Sequence, residues 1–196
     1  MNSKKGRRVG QLTLLFFALA CLAGYVGAGT VQGASSDSIR YLKCNVHAFD
    51  NGRDIKASYA NWTNPGEGHL LIPVNTPIET GEWRKGFSFI TKDTGKKVYF
   101  EFHKKRMRMS VGDYIELITS PEPVSLGSFS EEDLKGISEG KARVGMTKTG
   151  VMTALGYPAT HKTSSLVENT WIYWENRFRT IAVEFDDDGI VKGIRE

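Results

Sequence analysis

Glu101 and His103 stand two positions apart, so on a regular strand both side chains project from the same face. A carboxylate beside an imidazole is a pair from which acid–base chemistry or a metal site can be built. Two groups are too few to hold zinc without distant partners, and His47, His69 and His161 have no ligand spacing among them. A surface strand with a titratable histidine is the simpler expectation. Ser, His and Asp all occur, but no serine sits in a nucleophile-elbow sequence. The run Asp186-Asp187-Asp188-Gly189 invites a calcium reading. An EF-hand loop needs alternating oxygen ligands and a distant glutamate, and neither follows. A solvated turn fits better. Asn61-Trp62-Thr63 matches a glycosylation sequon, which carries little weight beside the bacterial-type export signal described below. The expectation is no catalytic, cofactor-binding or metal-ligating set: not an enzyme, and no cofactor.

Binding chemistry is more visible. His103-Lys104-Lys105-Arg106-Met107-Arg108-Met109 concentrates charge. Lys104, Lys105, Arg106 and Arg108 read either as a solvated edge or loop, since lysines protect strand edges, or as a patch for anionic lipid headgroups or an acidic partner. Trp171 and Trp174 differ in strand parity and should face opposite ways. One of them is then a candidate exposed aromatic for a partner.

The N-terminus sets the compartment. In residues 1–36, Lys4, Lys5, Arg7 and Arg8 form a basic start, Leu12 to Ala23 an apolar core, and a small-residue tract follows. This reads as a bacterial export signal or an N-terminal membrane anchor. It could be cleaved after Gly33 or Ala28, lipidated at Cys21 in the rough lipobox Ala18-Leu19-Ala20-Cys21, or retained, since Leu12 to Val31 is about bilayer length. The expected location is the periplasm or the periplasmic face of a membrane, with a cleaved signal favoured. The chain carries 26 Lys+Arg against 22 Asp+Glu, a net +4, and four of those cations lie in the export signal. The remainder is neutral, so global charge gives no reason to invoke nucleic acid. Cys44 is then alone, without an internal disulfide partner, and reads as a small buried hydrophobe.

Two halves follow. Ile39–Ala48, Ile55–Ser58, His69–Pro73, Gly86–Thr91 and Val98–His103 are short strand candidates separated by turn residues such as Asp50-Asn51-Gly52 and Asp93-Thr94-Gly95. Strands this short and close suggest a small barrel or curled sheet, generically SH3-like. A helix from Ser110 to about Ile118 would close it. Ser120-Pro121-Glu122-Pro123 opens a linker. The expected divisions are a mostly-β domain over 37–119, a linker over 120–129 and an α+β domain over 130–196.

The C-terminal part has sharper punctuation. Ser130 caps a helix from Glu131 to about Gly140. Thr147 caps a second, in which Val151, Ala154 and Leu155 form one apolar stripe, Gly156 closes and Pro158 follows. Gly150 is its weak point, costing about 1 kcal/mol against alanine. Thr170–Trp174, Thr180–Phe185 and Ile190–Ile194 read as strands, the last two joined by an Asp-Gly hairpin.

In order, Gly145-Met146-Thr147, Val151, Leu155-Gly156, Pro158, Trp171, Tyr173, Phe185-Asp186, Gly189 and Val191 resemble the BamE (SmpA/OmlA) family over roughly residues 130–196. The resemblance implies two helices on a three-stranded antiparallel sheet and a non-enzymatic envelope protein that docks on another protein, in outer-membrane assembly or maintenance. The docking surface is expected in the loop from Thr160 to Asn169 or on the open sheet face. The alternatives are a periplasmic small-ligand, cell-wall or inhibitor-type binding protein, or an enzyme with its site in the β-domain near Glu101 and His103.

Overall fold

The computed structural model describes residues 39–196, which fall within one compact unit. The first half is an open, curled eight-stranded sheet: β1 (Arg40–Leu42), β2 (Val46–Asp50), β3 (Ile55–Ser58), β4 (His69–Ile72), β5 (Pro77–Trp83), β6 (Gly86–Thr91), β7 (Lys97–Glu101) and β8 (Thr119–Ser120). Their order is β4-β2-β3-β7-β6-β5-β1-β8. All neighbours are antiparallel except β3 and β7. The sheet folds around Leu42, Ile78, Phe89 and Val98, with Tyr114 and Ile118 of a helix closing the core. Two short helices precede β8, α1 (Lys104–Met107) and α2 (Val111–Ile118), and Ser110 and Asp113 form a reciprocal capping box at α2.

The second half is α3 (Glu131–Glu139) and α4 (Lys148–Leu155) against the antiparallel sheet of β9 (Thr170–Trp174), β10 (Thr180–Phe185) and β11 (Val191–Arg195), in order β11-β10-β9. The mixed α+β class and the two-helix, three-strand module are as expected from the sequence. Met146, Val151, Leu155, Trp171, Tyr173, Val183 and Phe185 form its core. Asp186 Oδ1 accepts the amides of Asp188 and Ile190, so the acidic run is a hydrogen-bonded turn.

Five local points differ from the sequence reading. The expected strand 39–48 breaks at Lys43–Asn45 because Asn45 turns its polar groups toward the helices. β5 had no sequence forecast: Pro77 and Gly81 disguise it, although proline is admissible at a strand's first residue. His103 lies beyond β7 and is the N-cap residue of α1, so it does not alternate with Glu101 on one strand. The basic run is a single helical turn, with Met107 buried beneath it and Arg108 left-handed at φ 57°. At the end of α4, Gly156 has φ 79° and ψ −175°, a positive-φ position but not a left-handed cap.

A polar seam joins the halves. Asn45 donates its amide N–H groups to the carbonyls of Ile137 (2.7 Å) and Ala154 (3.2 Å), and accepts from Val74 N–H. Asn61 donates to Leu155 and Tyr157, both at 2.8 Å. His47 Nε2 donates to Ala154 (3.1 Å). The orphan carbonyls at the end of α4 are thus satisfied by side chains from the curled sheet rather than by water.

Candidate docking surface

The loop from Glu175 to Arg179 joins β9 to β10 and is stiffened locally. Glu175 N–H bonds the Arg179 carbonyl at 3.0 Å. Asn176 Oδ1 accepts the amides of Phe178 (2.9 Å) and Arg179 (3.1 Å). This turn lifts Phe178 out of the fold with 85% of its surface exposed, between two exposed arginines. The Arg177 guanidinium lies 5.8 Å from the Phe178 ring centre.

Opposite stands the turn after β3. Asn61 and Trp62 both have positive φ. Thr63 and Asn64 then donate their amides to the carbonyls of Trp174 (2.9 Å) and Glu175 (2.8 Å), extending the edge of β9. The two turns enclose a cleft of about 610 Å³, whose apolar walls are Phe49, Trp62, Pro65 and Phe178 and whose cations are Arg177 and Arg179. Arg179 Nε is 3.6 Å from Glu175 Oε2, an ion-pair distance without a hydrogen bond, and that oxygen is buried without a hydrogen-bond partner. A cleft with aromatic walls, a rigid protruding ring and arginines has the composition of a protein-docking anchor.

The residues singled out in the sequence are distributed differently. Lys104, Lys105, Arg106 and Arg108 are all exposed on or beside α1. Trp171 is corrected: it is 1% exposed, packed edge-on to Phe185 at 4.8 Å, with its indole N–H unpartnered, so it cannot face a binding partner. Trp174 does point the other way. It is half-buried, with Lys162 Nζ 5.3 Å above its ring. In the Thr160–Asn169 loop, Val167 is 84% exposed while Lys148 Nζ holds its carbonyl at 3.0 Å. Cys21 lies outside the described residues. Cys44 is buried and free, and burial pushes its thiol up to about 12, which keeps it unreactive.

Glu101 and His103 are exposed and line none of the clefts described here. Two other histidines do meet. His47 Nδ1 and His69 Nε2 are 3.0 Å apart with the rings stacked at 5.2 Å. A carbonyl can only accept, so His47 Nε2 carries the proton given to Ala154, and the lone pair at Nδ1 accepts from His69. Burial pulls His47 down to about 4, against the pull of the Ala154 hydrogen bond. Among the described residues, no three His, Cys, Asp or Glu side chains come together to hold a metal ion.

Sequence reasoning missed the Trp62–Phe178 cleft. Its one visible signal was a phenylalanine between two arginines, in a position where a turn calls for small polar residues. The opposing wall comes from more than 100 positions earlier in the chain and left no local trace.

Residues 139–195 match the family model of the outer membrane protein assembly factor BamE domain. The match covers α4 and the three-stranded sheet and begins at the last residue of α3. No curated protein and no solved structure matches the chain. The curled sheet and the Trp62 wall of the cleft therefore lie outside the BamE-like segment, while Phe178 lies within it.

Proposed function

We propose that this is a non-enzymatic protein of the bacterial cell envelope, a docking module that works in outer-membrane assembly or maintenance through the Trp62–Phe178 cleft. The observation that carries the reading is an 85%-exposed phenylalanine held rigidly on a segment that matches an outer-membrane assembly domain. Residues 1–36 act as the export signal or anchor, and the chain resides in the periplasm or on the periplasmic face of a membrane.

Phe178→Ala should leave the fold intact, because the ring contributes little to the core. A central aromatic anchor typically contributes about 2 kcal/mol or more to a complex. Recovery of outer-membrane assembly proteins with the full chain from crosslinked envelopes should therefore fall by at least about tenfold in the variant. A wild-type chain found only free in the periplasm would contradict the proposal.

The division into 37–119 and 130–196 belongs to the same proposal. Freed of the second half, Asn45 and Asn61 would exchange helix carbonyls for water, a nearly neutral trade. A 37–119 fragment should be soluble with a β-type circular dichroism spectrum. A fragment without ordered signal would sink the division.

A further inference from the structure

The curled sheet carries a second surface, chemically unlike the cleft. Phe102 N–H bonds the Lys85 carbonyl at 3.0 Å, which brings the tip of the β5–β6 hairpin, Arg84-Lys85, against the start of α1. Arg106 Nη1 donates to the Tyr59 hydroxyl at 3.1 Å. The Tyr59 ring lies 6.1 Å from His103 and 6.3 Å from His161, whose neighbour is Lys162. Tyr59 thus meets α1 and the 161–162 segment, and Phe102 ties the hairpin tip to the start of α1. These three segments carry Arg84, Lys85, Lys104, Lys105, Arg106, Arg108 and Lys162, every one exposed. None of the seven takes part in an ion pair among the described residues. Three carboxylates lie close by. Glu82 is exposed on β5, two residues before Arg84. Glu101 is exposed at the end of β7, and Asp113, which feels Lys104, is tied into the α2 capping box by Ser110.

We infer that this surface adsorbs onto an anionic lipid bilayer. Its shape selects the occupant. None of these residues lines a cleft described among residues 39–196, whereas a peptide ligand needs a groove to lie in. Across 84–85, 103–108 and 161–162 no large hydrophobic side chain is exposed, the only rings there being the imidazoles of His103 and His161, whereas a protein interface needs an apolar centre. The cations belong to three separate turns, whereas a site for a single phosphate gathers its donors within one. A raised turn of unpaired, long basic side chains suits a plane of negative headgroups, where each Lys or Arg near the surface adds to the attraction. α1 is built to present them: Met107, 1% exposed, pins the turn from below.

The test is flotation of the full chain with phosphatidylcholine vesicles, with and without phosphatidylglycerol. Lys4, Lys5, Arg7 and Arg8 would also respond to lipid charge, so every protein compared carries glutamine at these four positions. Apolar attachment by the N-terminal segment is then common to both vesicles, and the readout is the phosphatidylglycerol-dependent increment. That increment should disappear in high salt and fall by about tenfold or more in Lys104→Gln/Lys105→Gln/Arg106→Gln/Arg108→Gln. A second variant, Arg84→Gln/Lys85→Gln/Lys104→Gln/Lys105→Gln, keeps the Arg106–Tyr59 bond and should lose the increment with an unchanged melting temperature. Equal binding to both vesicles, or an increment retained by the second variant, would overturn the inference. So would saturation by inorganic phosphate at concentrations too low to screen charge, or capture by polyglutamate without any vesicle binding.

Discussion

Replacing Gly150 with alanine should destabilise the protein by about 2–4 kcal/mol, although an interior helical glycine ordinarily gains about 1 kcal/mol from that change. The reversal comes from Asp133. This carboxylate is 1% exposed and serves both helices of the second half. It completes the capping box with Ser130 at α3, and it accepts the Thr147 amide at 2.8 Å and the Thr147 hydroxyl at the start of α4. The Thr147 hydroxyl in turn accepts the Gly150 amide at 2.9 Å. A Cβ on Gly150 would overlap Oδ1 and Cγ of Asp133. The carboxylate would have to leave, and its buried donors would lose their acceptor. Urea denaturation of Gly150→Ala measures the effect. In an Asp133→Ala background the obstruction is gone, so the penalty for Gly150→Ala should shrink or change sign. An alanine variant as stable as the parent would refute this account of the helix pair.

Acid should act on the seam between the halves well before general acid unfolding. His47 is held down at about 4 in the fold by burial and returns to its ordinary 6.5 when unfolded. Between those values the unfolded chain binds the extra proton, so stability rises with pH through the window. The contribution is fully present above pH 6.5 and lost progressively down to about pH 4, and over the whole range it amounts to about 3 kcal/mol. His69 is also lowered, by burial and then by Lys141, and pushes in the same direction. Protonation would turn His47 Nδ1 from an acceptor into a donor facing His69 Nε2, while Nε2 stays on the Ala154 carbonyl. His47→Gln should flatten the dependence of the urea midpoint on pH between 4 and 6.5. A slope identical to that of the parent would show that the histidine pair does not couple to folding.

The elements closest to the BamE pattern were the most legible. Helix α4 and strands β9 and β10 have the bounds read from the sequence, because Thr147, Leu155-Gly156 and the dense aromatic strands supply both periodicity and punctuation. Both capping serines, Ser110 and Ser130, were visible for the same reason. What stayed hidden depends on pairs far apart in sequence. Asn45 fell inside an expected strand and Asn61 stood out only as part of a sequon, yet they cap a helix about 100 positions away. Gly150 looked like a flaw until Asp133 was placed against it. Trp171 and Trp174 were separated correctly by parity, but parity does not say which face the helices cover. The basic run was legible as charge and illegible as shape, since four helical residues ending in a left-handed arginine give no periodic signal.

Docking through the Phe178 turn is the central claim, and site-specific photocrosslinking in living cells tests it most directly. A photoreactive residue at position 178 of the full chain should form discrete adducts with an outer-membrane assembly component. The same residue at Asp93, exposed in the β6–β7 turn, should not. Absence of adducts at 178, or the same products from both positions, would contradict the account.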